Sequence, residues 1–259
     1  MERIISLSNA TVRREGKPII DNIDLTINKN EHVAIIGSNG AGKSTLVQLL
    51  SLEVHPLYSP TTKRFLFGKE RWHVLELRKK MGIVSAALQY LVTTNYSVLH
   101  IVLSGFFSSI GLDFHHQVTT EMEQKALEKL KEQKIEHLKD RPMRTLSSGE
   151  ARRVLLARAT VHNPAVMLLD EAVSNLDMPS RSLYRQSMKD FVKEGKTVIL
   201  VTHDLSEIIE EINRVIILKD GKILADGFKE EVLTEEILSD AYKTKIFLTK
   251  REGLFNAWC

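Results

Sequence analysis

Residues 32–45 read HVAIIGSNGAGKST. His32 to Ile36 is a compact apolar run of the kind that forms a strand buried on both faces, and it ends at Gly37. From Lys43 to Leu50 the pattern is helical. Between them, Gly37, Ser38, Asn39, Gly40, Ala41, Gly42, Lys43 and Ser44 fit G-x-x-x-x-G-K-[ST], with Thr45 following in the helix. Glycines let such a loop curl so that successive N–H groups face phosphate oxygens, and the helix start adds its positive end. Lys43 would then bridge β- and γ-phosphates, and the Ser44 hydroxyl would hold Mg²⁺. A plain glycine turn explains the glycines but not the lysine placed between a strand and a helix.

Outward from this loop, Ile4 to Leu7 and Ile19 to Ile27 alternate apolar and polar, as strands of a small antiparallel sheet do. Ala165 to Leu169 and Thr197 to Val201 are continuous apolar runs, which belong in a buried parallel sheet. Asp220-Gly221, between two alternating runs, marks a hairpin. From about Leu88 to Ala159 the pattern is helical, for example Met122, Ala126 and Leu130 within a charged background. The expected fold is α/β: a P-loop NTPase core with a mainly parallel sheet, a small antiparallel N-terminal sheet and an inserted helical subdomain. The expected division of the single 1–259 domain is 1–86 plus 158–259 for the core and 87–157 for the insertion.

Composition restricts the function classes. The 259 residues are 43% hydrophobic and 27% charged, ordinary for a globular chain, and the formal charge is only +3. A mixed-charge solvated surface fits better than a nucleic-acid interface, and no nucleic-acid partner is expected. One cysteine, Cys259, permits no intrachain disulfide and suits a reducing compartment. The N-terminal stretch lacks a signal-peptide layout. Val98 to Leu112 is too short and too interrupted by His100, Ser104 and Gly105 for a membrane span; it reads as a buried helix and turn.

Leu168-Leu169-Asp170-Glu171 closes the Ala165 run. An acidic strand end of this kind is where a metal-holding carboxylate is needed: Asp170 for Mg²⁺, Glu171 to orient and polarise the attacking water. Taken alone the pair is also an ordinary start to a loop. His203 follows the Thr197 run, either as an incidental loop residue or as a contact to the γ-phosphate. Ser147 and Glu150, in LSSGE, form a capping box ahead of a basic, leucine-bearing helix. Gly149 in its first turn is not a stabilising choice, and it would allow close backbone approach to an anion.

LSSGE, about twenty residues ahead of LLLDE, resembles the signature of the ATP-binding-cassette (ABC) ATPases, usually written LSGGQ. The resemblance spans almost the whole chain: cradle, helical insertion, signature, acidic strand end, SNLD at 174–177, and the histidine after the next strand, all in the family's order. It implies an ATPase using ATP and Mg²⁺. It implies a head-to-tail dimer, a homodimer or a pair with a related subunit, in which Ser147, Ser148, Gly149 and Glu150 of one copy complete the ATP site of the other. Asp177 would communicate across that interface, and symmetry requires a twofold pair. A glutamine that meets Mg²⁺ is carried to Gln89, near the aligned Ala86. Arg14 stands where the family has an aromatic residue stacking on adenine; it either stacks in its place or is a solvated surface residue. Ala172 replaces the family's usual proline.

The resemblance implies transport, with transmembrane permease subunits as partners and a cytoplasmic location on the inner face of the membrane. The stretch VLSGFFSSIGL is similar to ATPases of metal-complex and oxyanion importers. Two other functions compete. A soluble ABC ATPase serving an assembly, DNA or ribosome task would usually carry two cassettes or coiled-coil arms, which are not seen. A non-enzymatic clamp conflicts with the presence of Lys43, Asp170, Glu171 and His203 together.

Overall fold

The computed structural model describes residues 2–171, 176–251 and 253–259. They form two compact units, Met1–Val74 with Val192–Cys259, and Leu75–Phe191. In chain order the first unit contributes β1 (Arg3–Arg14), β2 (Lys17–Asn28), β3 (Val33–Gly37), α1 (Lys43–Leu50) and β4 (Lys63–Leu66). Next come α2 (Val74–Lys80), β5 (Met81–Ser85), α3 (Ala86–Val92), α4 (Val98–Phe107), α5 (Thr120–Glu132), α6 (Ser148–Thr160), β6 (Val166–Asp170) and α7 (Met178–Lys193). The chain ends with β7 (Thr197–Thr202), β8 (Arg214–Lys219), β9 (Lys222–Phe228), α8 (Lys229–Val232), α9 (Glu235–Tyr242), β10 (Phe247–Arg251) and β11 (Leu254–Trp258).

In the first unit, β3 pairs in parallel with β7 on one side and β8 on the other. Every residue of β3 and β7 is buried, and so is the centre of β8. This is the burial that continuous Val/Ile/Leu runs predict for parallel strands covered on both faces. β9 adds antiparallel to β8 and alternates exposed and half-buried positions. The register sets the functional edge: Ile36 lies opposite Thr202, so Gly37 and His203 leave the sheet side by side.

A second sheet in this unit has the order β2-β1-β4, all antiparallel. Buried Ile5, Leu7, Ala10 and Val12 face buried Ile27, Leu25, Ile23 and Ile20 across the β1–β2 ladder. β1 is longer than the expected Ile4–Leu7 run. At Asn9, with φ 48°, the register shifts, and the buried positions move from odd to even numbers. A bulge of this kind breaks the period of two on which the sequence reading relied.

In the second unit, β5 and β6 form a parallel pair that runs from Met81 opposite Val166 to Ser85 opposite Asp170. The helical stretch of the sequence resolves into α3 to α6. Ala126 and Leu130 of α5, Ile101 and Val102 of α4, and Val154, Leu155 and Leu156 of α6 form its apolar interior. The Val98 stretch is the expected helix and turn, closed by Ser108 in the left-handed region at φ 55°. Arg158 Nη2 donates to the Ser109 carbonyl at 2.9 Å and Arg78 Nη1 to the Ser108 carbonyl at 2.9 Å, which fixes that turn. Burial, with Arg78 beside it, pulls the Arg158 guanidinium down to about 10. Among the described residues no helix is long and apolar enough to cross a membrane.

Candidate functional site

The loop after β3 is built around its own cation. Lys43 is buried, and its Nζ donates to the carbonyl oxygens of Gly37 at 2.9 Å and Ser38 at 3.1 Å. Gly42 precedes α1 in the left-handed region at φ 105°. A Cβ there would lie 2.7 Å from the Ile19 carbonyl oxygen and 2.9 Å from Ile20 Cδ1, so both conformation and space require glycine. Asn39, Gly40 and Ser44 are exposed around this frame, whereas Ala41 and Thr45 are buried. The first turn of α1 carries no acidic side chain, so its positive end is open to an anion. Concave backbone, a helix start and one ammonium group make up the chemistry of a phosphate site.

Two further segments of the same unit support or adjoin this loop. The Asp220-Gly221 turn, expected only as a hairpin, braces it: the Gly221 amide donates to the Ala41 carbonyl at 3.1 Å, and the Asp21 amide to the Gly221 carbonyl at 2.8 Å. His203 is exposed at the carboxyl end of β7, the strand beside β3. Ligands of parallel α/β sheets bind outside such strand ends. Arg14 Nη2 donates to Gln48 Oε1 of α1 at 2.5 Å, which holds its guanidinium against the helix that follows the loop.

The second unit carries the remaining residues. Asp170 ends β6 opposite Ser85, and α3 starts directly after Ser85. Gln89 on α3 therefore belongs to the strand-end edge that carries Asp170 and Glu171. Glu171 holds φ 45°, in the left-handed region. The side-chain carbonyl Oε1 of Gln89 is buried and has no hydrogen-bond partner among the described residues. A buried amide oxygen left over in this way has the donor chemistry of a ligand for a hard cation, as have Ser44 and Asp170.

The capping box read at Ser147 and Glu150 is present. The Glu150 amide donates to Ser147 Oγ at 3.3 Å, and the Ser147 amide to Glu150 Oε2 at 2.8 Å. The Ser147 amide, with its hydroxyl, holds the Glu150 carboxyl below its usual range, against partial burial. Ser147 and Ser148 are exposed, while Gly149 is buried. A Cβ on Gly149 would run into the Ser180 side chain of α7. Close packing thus supplies a reason for this glycine that the sequence reading had assigned to an approaching anion. Asp177 is exposed; the Ser180 hydroxyl first, and then the Ser180 amide that donates to it at 3.0 Å, lower its carboxyl pKa. Ala172, Ser174 and Asn175 lie outside the described residues.

A strand, a glycine loop and a helix on a parallel sheet define a P-loop nucleotide-binding protein. Comparison with known proteins is more specific. The sequence pattern of the ABC transporter family matches residues 20–174. The hemin import ATP-binding protein HmuV of Aliivibrio fischeri is 33% identical over 247 residues, covering 93% of this chain and 91% of that protein. The structure of cbiO1 from Clostridium perfringens, part of the ABC transporter complex cbiONQ, aligns with a TM-score of 0.73 at 28% identity. That alignment covers 93% of this chain and 94% of cbiO1. The dimeric ABC transporter cassette MJ0796 aligns with a TM-score of 0.72 at 27% identity, over 86% of this chain and 98% of that one. The chain belongs to the ABC transporter ATPase family, and it binds and hydrolyses ATP.

Proposed function

We propose that the chain energises an ABC importer of a metal complex or an oxyanion, as a head-to-tail homodimer beneath two permease subunits. The single observation that carries this reading is the 33% identity, over 93% of this chain, to HmuV, a protein named for hemin import; the register that sets the cradle and His203 on neighbouring strand ends supports its ATP site. In this reading Gly37 to Thr45 hold the phosphates, Lys43 bridges the β- and γ-phosphates, and His203 meets the γ-phosphate. Arg14 stacks on the adenine. Mg²⁺, held by Ser44, Asp170 and Gln89, would neutralise charge on the phosphate oxygens. Glu171 orients and polarises the attacking water. Ser147, Ser148, Gly149 and Glu150 act on the partner copy's ATP, and Asp177 relays between copies. Residues 87–157 form the helical insertion that receives a cytoplasmic helix of the permease, on the inner face of the membrane.

Support for import comes from the similarity to HmuV, named for hemin import, and to cbiO1, part of a transporter complex. MJ0796 is dimeric, which supports the paired arrangement. The test has two arms. Glu171→Gln should slow ATP turnover at least about 100-fold while nucleotide binding survives and a dimer accumulates with ATP. The tagged chain should also co-purify with a multi-spanning membrane protein. Wild-type turnover in Glu171→Gln removes the role of Glu171, and a chain that never associates with membranes removes the transport reading.

A further inference from the structure

The turn that carries His203 is closed by its own side chains. β7 ends at Thr202, and the Asp204 amide donates back across His203 to Thr202 Oγ1 at 3.0 Å. Past His203, the Ser206 amide donates to Asp204 Oδ1 at 2.9 Å and the Glu207 amide to the Asp204 carbonyl at 3.1 Å. Buried Leu205, Ile208 and Ile209 seat the short turn Leu205–Glu207 that follows, and β11 packs against it.

Glu207 is 3% exposed and Thr202 1%, and a glutamate is rarely buried to this degree unless its carboxyl is bonded. Here it is: Thr202 Oγ1 donates to Glu207 Oε2 at 2.6 Å. A hydroxyl has one proton to give. With that proton committed to Glu207, the Thr202 lone pairs are left for the Asp204 amide, and donation to the carboxyl oxygen strengthens the bond that the hydroxyl accepts. The chain Glu207–Thr202–Asp204 thus fixes the backbone on both sides of His203. His203 itself is exposed at the strand end, so packing does not set its direction and the backbone of the turn does.

We propose that Glu207 is a positioning residue for ATP turnover: through the Thr202 hydroxyl it holds the turn that presents His203. A side chain away from the reacting atoms acts in this way by keeping a neighbour in its productive geometry, where a displacement of about 1 Å costs rate. The inference rests on the proposed role of His203 at the γ-phosphate.

The test uses the full chain, with steady-state ATPase, thermal denaturation and the His203 imidazole NMR signal as readouts. That signal is assigned by its loss in His203→Ala. Glu207→Leu puts an apolar side chain in the buried place and removes the acceptor of the Thr202 hydroxyl. It should lower kcat about 10-fold, change KM for ATP by less than about 2-fold, and move the His203 signal. Thr202→Val should do the same, and Thr202→Ser, which restores the hydroxyl, should recover most of that loss. The variant with both Glu207→Leu and Thr202→Val should be no slower than the slower single one, since both break one chain of bonds. In the His203→Ala background neither change should cost more. Wild-type kcat in folded Glu207→Leu, additive losses in the double variant, an unmoved His203 signal, or an equal loss in both backgrounds overturns the role of Glu207. Should Glu207→Leu fail to fold, Thr202→Val decides, and wild-type kcat there, or no recovery in Thr202→Ser, overturns it. Wild-type turnover in His203→Ala is a different result: it removes the His203 assignment on which this inference stands. Should His203→Ala have no measurable activity, the NMR signal takes the place of that background.

Discussion

Lys43 shows how much one residue can carry. Its ammonium is buried against two carbonyl oxygens of its own loop, so it is pre-placed at the bend where phosphate charge would sit. Lys43→Ala should weaken ATP binding by at least about 10-fold, measured by titration calorimetry, by removing a charge-assisted contact. Lys43→Arg should not restore it, since a planar guanidinium does not fit a site shaped for a point charge. Gly149 makes a different case. Gly149→Ala should lower Tm by pressing a methyl group into Ser180, and Ser180→Gly in the same chain should recover most of the loss. Thermal denaturation of the two single variants and the double variant checks this. The lysine was legible because its motif is local; the reason for the glycine was not, because Ser180 comes from a different helix.

At the scale of elements, α6 is the best-specified piece. Its capping box was readable from four residues, since the bonds it makes are all within one turn. Ser147→Ala should cost about 1 kcal/mol of stability, seen as a lower urea midpoint. Glu150 adds a pH dependence. Its folded carboxyl titrates below the unfolded one, so its contribution is complete above the usual glutamate range and fades as pH falls through the lowered folded value. The Tm deficit of Glu150→Gln relative to wild type should therefore be largest near neutrality and shrink on acidification, followed by calorimetry from pH 7 to pH 3. Other elements left no such signal. β4, Lys63–Leu66, is four residues long, and the β10–β11 strands are mostly exposed, so neither carries a hydrophobic period. β3 and β7 were readable because burial on both faces demands an unbroken apolar run.

At the scale of the whole molecule, the proposed dimer makes a quantitative prediction. A Lys43→Ala copy retains an intact signature, and a Ser148→Glu copy, with a carboxylate facing the partner's phosphates, retains an intact cradle. Each homodimer should be inactive. An equal mixture should recover about a quarter of wild-type ATPase, because half of the random pairs are mixed and each mixed pair has one complete site. No recovery on mixing would remove the head-to-tail arrangement, whatever the role of each residue. By itself the sequence determined what depends on neighbours along the chain: the phosphate loop, the acidic strand end, the capped helix and the buried strands. Only the tertiary structure decided which strand ends stand together. Gly37 beside His203 and Gly221 bracing Ala41 both follow from strand register and packing between distant segments. Local periodicity reports which face of an element is buried; it holds no record of which other element buries it.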